Sequence, residues 1–455
     1  MIQPTPARRE PATGRLACRA SGANHPRPTV LALALVICLG TMFVAGDARG
    51  EAVHRRRLRE ALECERRGEF GAAVAALSAA VQHRPDYPRL HWKLACLHAR
   101  LGREAETLAA LESLAALGVS MDPKSDPVLG AMAERPAFLA VTRRLAANAE
   151  PRGHCIRDSD AERTQVDGII ESVAWIAARG EWYLGDVRRR AVLRVRPGAE
   201  RPQPVDAGAI ELGGVFALRC SSDGRTLWAA SSRMKEPPST PEGRPPGFTG
   251  LVAFDLAGTA PPQAFPISDD ADGHLLGDFA QSEDGTLYAS DSRSPCLWRL
   301  EPGSTTLAPW IRHEEFVSLQ GVVLSPDGRS LLVADYGSGL WKINLADRKV
   351  TPVATPPGVT LFGVDGLYRH GADVIAVQNG IRPARILRLS LDRPGLPDQM
   401  TVIASGLKAF EDLALGEVRD GRFWVVGDSG WEKLEGKREV SPRPLSLLSV
   451  QLSPP

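Results

Sequence analysis

Downstream of about residue 153 the chain is a succession of short apolar runs separated by polar turns. The stretch Gly277 to Gly303, GDFAQSEDGTLYASDSRSPCLWRLEPG, shows the order most fully. An apolar pair (Phe279, Ala280) is followed by a turn at Asp284 and Gly285, a β-rich run (Leu287, Tyr288, Ala289), a polar turn, and a third strand through Leu297, Trp298 and Leu300. A fourth run, Thr305 to Ile311, completes a four-stranded meander. Asp-Gly between two such runs predicts a two-residue type I′ hairpin, in which both central residues take positive φ. The order returns at SSDGRTLWAAS (Asp223, Gly224), SPDGRSLLVAD (Asp327, Gly328) and RDGRFWVVGD (Asp420, Gly421), and more loosely at Arg179-Gly180 and His370-Gly371, giving six copies. Third strands match as well, in AVLRVRPG, GLVAFDLAG, CLWRLEPG, GLWKINLAD and RILRLSLD. A four-stranded sheet cannot bury both faces alone, so six in succession predict a mainly β fold, a six-bladed β-propeller over residues 153–455. A β-sandwich accounts for the strand number but not for the repeated internal order. Pairing of Leu447 to Leu452 with residues before Asp167 is expected to close the ring and remove its two open edges.

From Glu51 to Asn148 the period becomes helical and the composition rich in Ala and Leu. Leu58 to Cys64, then Gly68, Phe70, Ala73, Leu77, Ala80 and Pro85 suit two antiparallel helices packed through small residues, with Pro85 closing the second. A further hairpin follows, with Trp92, Leu94, Ala95, Leu97 and Leu101 on one helix, Gly102 at the turn, and Leu108, Leu111 and Leu114 on the next. A third pair is expected between Asp126 and Leu145, with Phe138 and Leu139 facing inward. The first hairpin resembles a tetratricopeptide repeat; in the second, Thr107 stands where that repeat usually has Ala. So short an array is expected to dock on the propeller or on the membrane-proximal segment, as a spacer or as a platform for a protein partner. A plain amphipathic hairpin without a partner is the alternative.

Residues 1–28, rich in Pro, Arg and Ala, have no apolar period and are expected to be disordered. Thr29 to Gly46, TVLALALVICLGTMFVAG, is uncharged and follows Arg8, Arg9, Arg15, Arg19 and Arg27. That placement favours a cytoplasmic N-terminus, so residues 29–46 read as a signal peptide cut near Val44-Ala45-Gly46 or as a transmembrane anchor. Everything after them is then periplasmic or extracellular, tied to the membrane if the segment stays. The 455 residues are 43% apolar and 24% charged, as in globular proteins, and a net charge of +1 argues against nucleic acid or another bulk polyanion as partner. Seven cysteines show no metal-ligand spacing. Export permits a disulfide among them without naming a pair, and a buried free thiol is the commoner state.

In an up-and-down propeller the first strand of each blade lies nearest the axis, and its start faces one mouth of the channel. Counting back from each hairpin puts Glu171, Val215, Asp278, Gln320, Asp365 and Glu411 with Asp412 at these starts. Carboxylates gathered in one narrow mouth repel each other unless protons or a cation sit among them, which makes a hard divalent ion a natural occupant. Taken singly, each is also an ordinary turn former bonding nearby backbone N–H groups.

The segments IIESVAWIAARGEWYLGDVRRRAVLRV, LQGVVLSPDGRSLLVAD and VDGLYRHGADVIAVQ resemble the gluconolactonase and regucalcin (senescence marker protein) family of six-bladed propellers, over roughly Asp167 to Leu452. The resemblance implies a divalent cation, usually calcium, held by Glu171, Gln320 and Asp365, with Asp278 matching a further Asp nearby. It also implies that Asp365 is the catalytic general base that opens a sugar lactone. Two departures bear on this. Gln320 replaces the usual Asn and reaches one methylene further, while Leu275 and Gly277 replace the sugar-binding Arg and Asn. The implied function is an exported, metal-dependent lactone or ester hydrolase of a lactone or sugar acid, with gluconolactone itself disfavoured by the loss of that pair. The alternative is a non-catalytic envelope binding or scaffold protein using propeller and helical surfaces. Arg233 to Gly250 is expected to hang over the mouth as a lid, and Arg188 to Arg190, Arg382 and Arg385 to meet an anionic substrate.

Overall fold

The computed structural model describes residues 52–234, 247–268, 273–390, 399–434 and 441–452. The disordered segment 1–28 and the anchor or signal 29–46 lie outside these residues, as does most of the expected lid. Among the described residues no helix is long and apolar enough to cross a membrane.

Blade three is built as its alternation demands, from Leu276–Gln281, Leu287–Asp291, Cys296–Leu300 and Ala308–Arg312 in sequential antiparallel order. The first strands of the other blades are Ile170–Ile176, Gly214–Cys220, Leu319–Leu324, Val364–His370 and Gly416–Arg419. Each touches the first strands of both neighbouring blades, so the six form a closed ring about the axis. The core is divided accordingly into slabs between adjacent blades. Phe279, Leu251 and Trp298 fill the seam between blades two and three, and Leu331, Trp341 and Ile311 that between three and four. The mainly β, six-bladed reading therefore holds.

Closure comes from the front of the chain. Ile156–Arg157 is the outermost strand of blade six and pairs with Leu447–Gln451, Ile156 opposite Ser449 and Arg157 opposite Leu448. Gln165–Val166 adds a second pairing with Arg443–Pro444. Both contacts precede Asp167, as the edge argument requires.

The Asp-Gly turns need correction. Only Asp420 (φ 49°) and Gly421 (φ 69°), between paired Arg419 and Arg422, form the two-residue turn with both residues left-handed. At Asp284 the carboxylate Oδ1 accepts from Ser282 Oγ at 2.6 Å and from the Thr286 N–H at 3.0 Å, and only Gly285 (φ 88°) is left-handed. Ser221 with Asp223, and Ser325 with Asp327, repeat this bonding. The Ser-x-Asp-Gly sequence thus gives a wider loop, because the Asp side chain takes the bond that would otherwise fix a tighter turn.

The helical region comprises α1 (Val53–Arg66), α2 (Phe70–His83), α3 (Pro88–Arg100), α4 (Glu104–Ala116) and α5 (Pro136–Ala147). Gly68 (φ 76°) and Gly102 (φ 68°) end α1 and α3 and let the chain reverse. Thr107 is fully buried in α4 and satisfies its hydroxyl on the Arg103 carbonyl at 2.7 Å. The third helical pair is only half there. Two short 3-10 turns, Pro123–Ser125 and Leu129–Met132, stand in place of its first helix, since Pro123, Pro127 and Gly130 interrupt the segment. Phe138 is buried as expected, and Leu139 half-buried.

These helices dock on blades four and five. Tyr87 stacks on Phe362 with centroids 4.0 Å apart and planes 6° from parallel. The Arg84 guanidinium lies 4.5 Å from the same ring, donates to the Ser338 carbonyl at 2.8 Å and forks onto Asp86 at 2.9 and 3.0 Å. Asp86 also accepts from Thr355 Oγ1. The propeller residue Ile381 completes a core with Leu111, Leu114 and Phe138. The five cysteines among the described residues are free thiols, Cys64 and Cys296 buried.

Candidate functional site

In the first five blades the register between first and second strands slips near the strand start. The skipped residues are Glu171, Phe216, Gly277 with Asp278, Gln320 with Gly321, and Asp365. A β-bulge turns a side chain away from the ladder, so these positions are re-aimed at the same end of the channel. All four residues singled out from the sequence, Glu171, Asp278, Gln320 and Asp365, occupy bulges.

They do not share one environment. Glu171, Gln320 and Asp365 keep partial exposure at the mouth, whereas Asp278 is 1% exposed. Both Asp278 oxygens are engaged by Arg219, Oδ1 with Nε at 3.0 Å and Oδ2 with Nη2 at 2.5 Å, and Oδ2 also accepts from the Val322 N–H at 3.2 Å. Arg219 reaches on to the Leu367 carbonyl at 3.4 Å and lies 5.0 Å from the Tyr368 ring centroid. The pair therefore links blades two to five across the channel.

Glu171 Oε2 accepts the Trp431 indole N–H at 2.6 Å. Its carboxyl is pushed well above the ordinary range by burial and then by the Asp365 charge, with the Trp431 bond pulling the other way. Asp365 Oδ2 accepts from Asn379 Nδ2 at 2.7 Å. Burial raises Asp365 too, the Asn379 bond opposes it, and the charges of Asp278 and Asp412 add to the rise. Asn379 donates its second amide hydrogen to the Leu413 carbonyl at 2.9 Å, while its Oδ1 is buried without a partner. Gln320 donates from Nε2 to Ser318 Oγ at 3.1 Å. A Cβ on Gly277 would stand 3.1 Å from Gln320 Oε1, so the glycine makes room for the longer amide.

Blade six contributes differently from the expectation. Glu411 is turned outward beside Arg157 and Lys433. Asp412 accepts from Ser429 Oγ and from the Glu432 N–H, fixing the helical turn Trp431–Leu434. Trp431 and Leu434 join Ile169, Val187, Phe216, Met234 and Leu275 in an apolar cluster beside Glu171. Leu275 thus sits in a hydrocarbon wall. The expected anion-binding arginines are otherwise employed: Arg189 pairs with Asp167, Arg385 is buried on Gln378 Oε1 at 2.6 Å, and Arg382 bonds Glu432 Oε1 at 3.1 Å. Sequence reading missed Arg219, Asn379 and Trp431. Only Asn379, one residue past the second strand of blade five, had a positional signal.

Among the described residues no group of three or more His, Cys, Asp or Glu side chains is close enough to hold a metal ion. The arrangement does offer two mutually repelling carboxyl groups and an unpaired amide oxygen at one mouth, an all-oxygen set of hard donors.

No model of a protein family matches the sequence, and no curated protein matches it either. Solved structures resemble it over part of its length. A gluconolactonase of Xanthomonas campestris is 15% identical over 68% of this chain and 93% of its own, with a TM-score of 0.42. A luciferin-regenerating enzyme is 12% identical, covering 66% and 95%, with a TM-score of 0.45. A catalytically inactive virginiamycin B lyase of Staphylococcus aureus, solved with quinupristin, is 12% identical, covering 67% and 100%, with a TM-score of 0.40.

Proposed function

We propose that this chain hydrolyses lactones or related esters at the mouth defined by Glu171 and Asp365. The observation that supports this best is the pairing of two crowded carboxyl groups from blades one and five, each bonded to a neutral donor and each keeping an exposed edge. Asp365 accepts the proton of the attacking water, and Asn379 holds its other oxygen in place. Arg219 neutralises Asp278, which we assign to supporting the channel.

A divalent cation fits these residues. Glu171 and Asp365 repel one another, Asn379 Oδ1 lacks a partner, and an all-oxygen donor set suits calcium over zinc. Glu171, Gln320, Asp365 and Asn379 would hold it. When bound, such an ion polarises the ester carbonyl as a Lewis acid. Export through residues 29–46 would place the site where calcium is plentiful.

The apolar cluster beside Glu171, in which Leu275 and Phe216 are buried, supplies no polar partner for a sugar hydroxyl and so favours an alkyl-substituted lactone. The test is a hydrolysis panel of alkyl-substituted and sugar lactones, with calcium and after chelation. Alkyl lactones should turn over faster, Asp365→Asn should abolish turnover, and calcium should raise the melting temperature of the parent more than that of Glu171→Gln. If no lactone is hydrolysed and no divalent ion shifts the melt at millimolar concentration, the reading fails and a non-catalytic binding module replaces it.

A further inference from the structure

The partner of Asp365 comes from blade five, on which the helices dock, and that of Glu171 from the neighbouring blade six. Asn379, the partner of Asp365, begins the connection between the second and third strands of blade five. Ile381 of that connection is 7% exposed and belongs to the core of the helical region. The next residue, Arg382, accepts the Ser120 N–H on its carbonyl at 2.7 Å. Its guanidinium then divides. Nη1 donates to the Asn379 carbonyl at 3.4 Å, and Nη2 to Glu432 Oε1 at 3.1 Å. Glu432 adjoins Trp431, whose indole donates to Glu171.

We propose that Arg382 is a positioning residue through which the helical region holds the hydrogen-bond partners of both Glu171 and Asp365. The helices are then a fixed wall of the site. This rests on reading the mouth as the functional site, but its test needs neither substrate nor metal. One guanidinium can serve both partners because its donors diverge in a rigid plane; a lysine ammonium is a single point of charge. The Arg382 and Glu432 side chains are 40% and 25% exposed, so the pair contributes little to stability and its loss leaves the fold intact. A role confined to stability would leave the two partner side chains where they are.

The experiment is nuclear magnetic resonance of the full chain carrying nitrogen-15 in its nine tryptophans or its four asparagines. Trp431→Phe and Asn379→Asp identify the two signals. In Arg382→Gln the Trp431 indole and the Asn379 carboxamide should both move while other signals stay, and the melting temperature should remain near the parental one. Arg382→Lys should restore the Trp431 signal, through Glu432, without restoring that of Asn379. Ser120→Pro removes the N–H that anchors Arg382 from the helical side and should displace both signals; Ile381→Ala serves if that variant does not fold. Both signals unmoved in folded Arg382→Gln would overturn the role of Arg382. Both unmoved in Ser120→Pro or Ile381→Ala would overturn that of the helices. Loss of lactone hydrolysis by itself would bear only on the function proposed above.

Discussion

Arg219 and Asp278 form a two-point ion pair between adjacent blades, the guanidinium from blade two and an almost fully sealed carboxylate from blade three. Both guanidinium bonds are charge-assisted, and the Val322 N–H adds a third donor to the same carboxylate. Removing one partner leaves the other charge buried and unpaired. Arg219→Met should therefore destabilise the fold by about 3–5 kcal/mol, whereas the double variant Arg219→Met, Asp278→Leu should recover much of that loss. Denaturant melts of the two single variants and the double variant measure this; a double variant as unstable as Arg219→Met would contradict the account.

Glu417 lies on the first strand of blade six, where its Oε2 accepts the Trp175 N–H at 2.6 Å. Burial pushes its carboxyl up to about 7, against an ordinary value of 4.5, while the Trp175 bond and the charges of Arg219 and Arg419 pull it down. The folded form holds this proton more tightly than the unfolded chain. Its contribution to stability is therefore complete below pH 4.5 and is lost as pH rises through about 7. Glu417→Gln should remove that loss, so the melting temperature of the variant relative to the parent should climb between pH 5 and pH 8. A constant difference over that range would show that the Glu417 proton plays no part.

Phe362 fixes the helices to the propeller by stacking on Tyr87 beneath Arg84. Phe362→Ala empties a site that is 3% exposed and should cost about 3 kcal/mol or more. Because the contact lies between regions, the variant should also be cut by protease within residues 52–150 under conditions that spare the parent. Unchanged protection would mean that the other contacts suffice to hold the helices.

Deleting Leu447 to Pro455 takes away the third strand of blade six and with it the partner of Ile156–Arg157. Leu447, Leu448 and Val450 are buried between blades. The truncated chain should lose cooperative thermal unfolding altogether. A truncated protein that melts like the parent would rule out closure by this strand.

The blades were legible because their signal is local. Alternation within Leu287 to Leu300 and its copies defines each meander, and the position of Glu171, Asp278, Gln320 or Asp365 follows by counting back from the turn. What escaped detection lies far apart along the chain. Trp431 and Glu171 are 260 positions apart, and Arg84 and Ser338 are 254 apart, so no spacing rule brings either pair together. Turn type failed for a different reason. Asp284 bonds Ser282 through its side chain, a choice that the Asp-Gly dipeptide alone does not reveal.

The pairing of Ile156–Arg157 with Leu447–Gln451 also sets a timetable for synthesis. The closing strand leaves the ribosome well before its partner, with 293 positions between Ile156 and Ser449. Leu184 and Leu193 of blade one, which pack on Val426 and Leu447 once the ring is shut, wait uncovered while five further blades are made. Translation rate thus governs how long the nascent chain carries an unpaired edge, and a chaperone, or a strand from another nascent chain, competes for that edge until Leu447–Gln451 emerges.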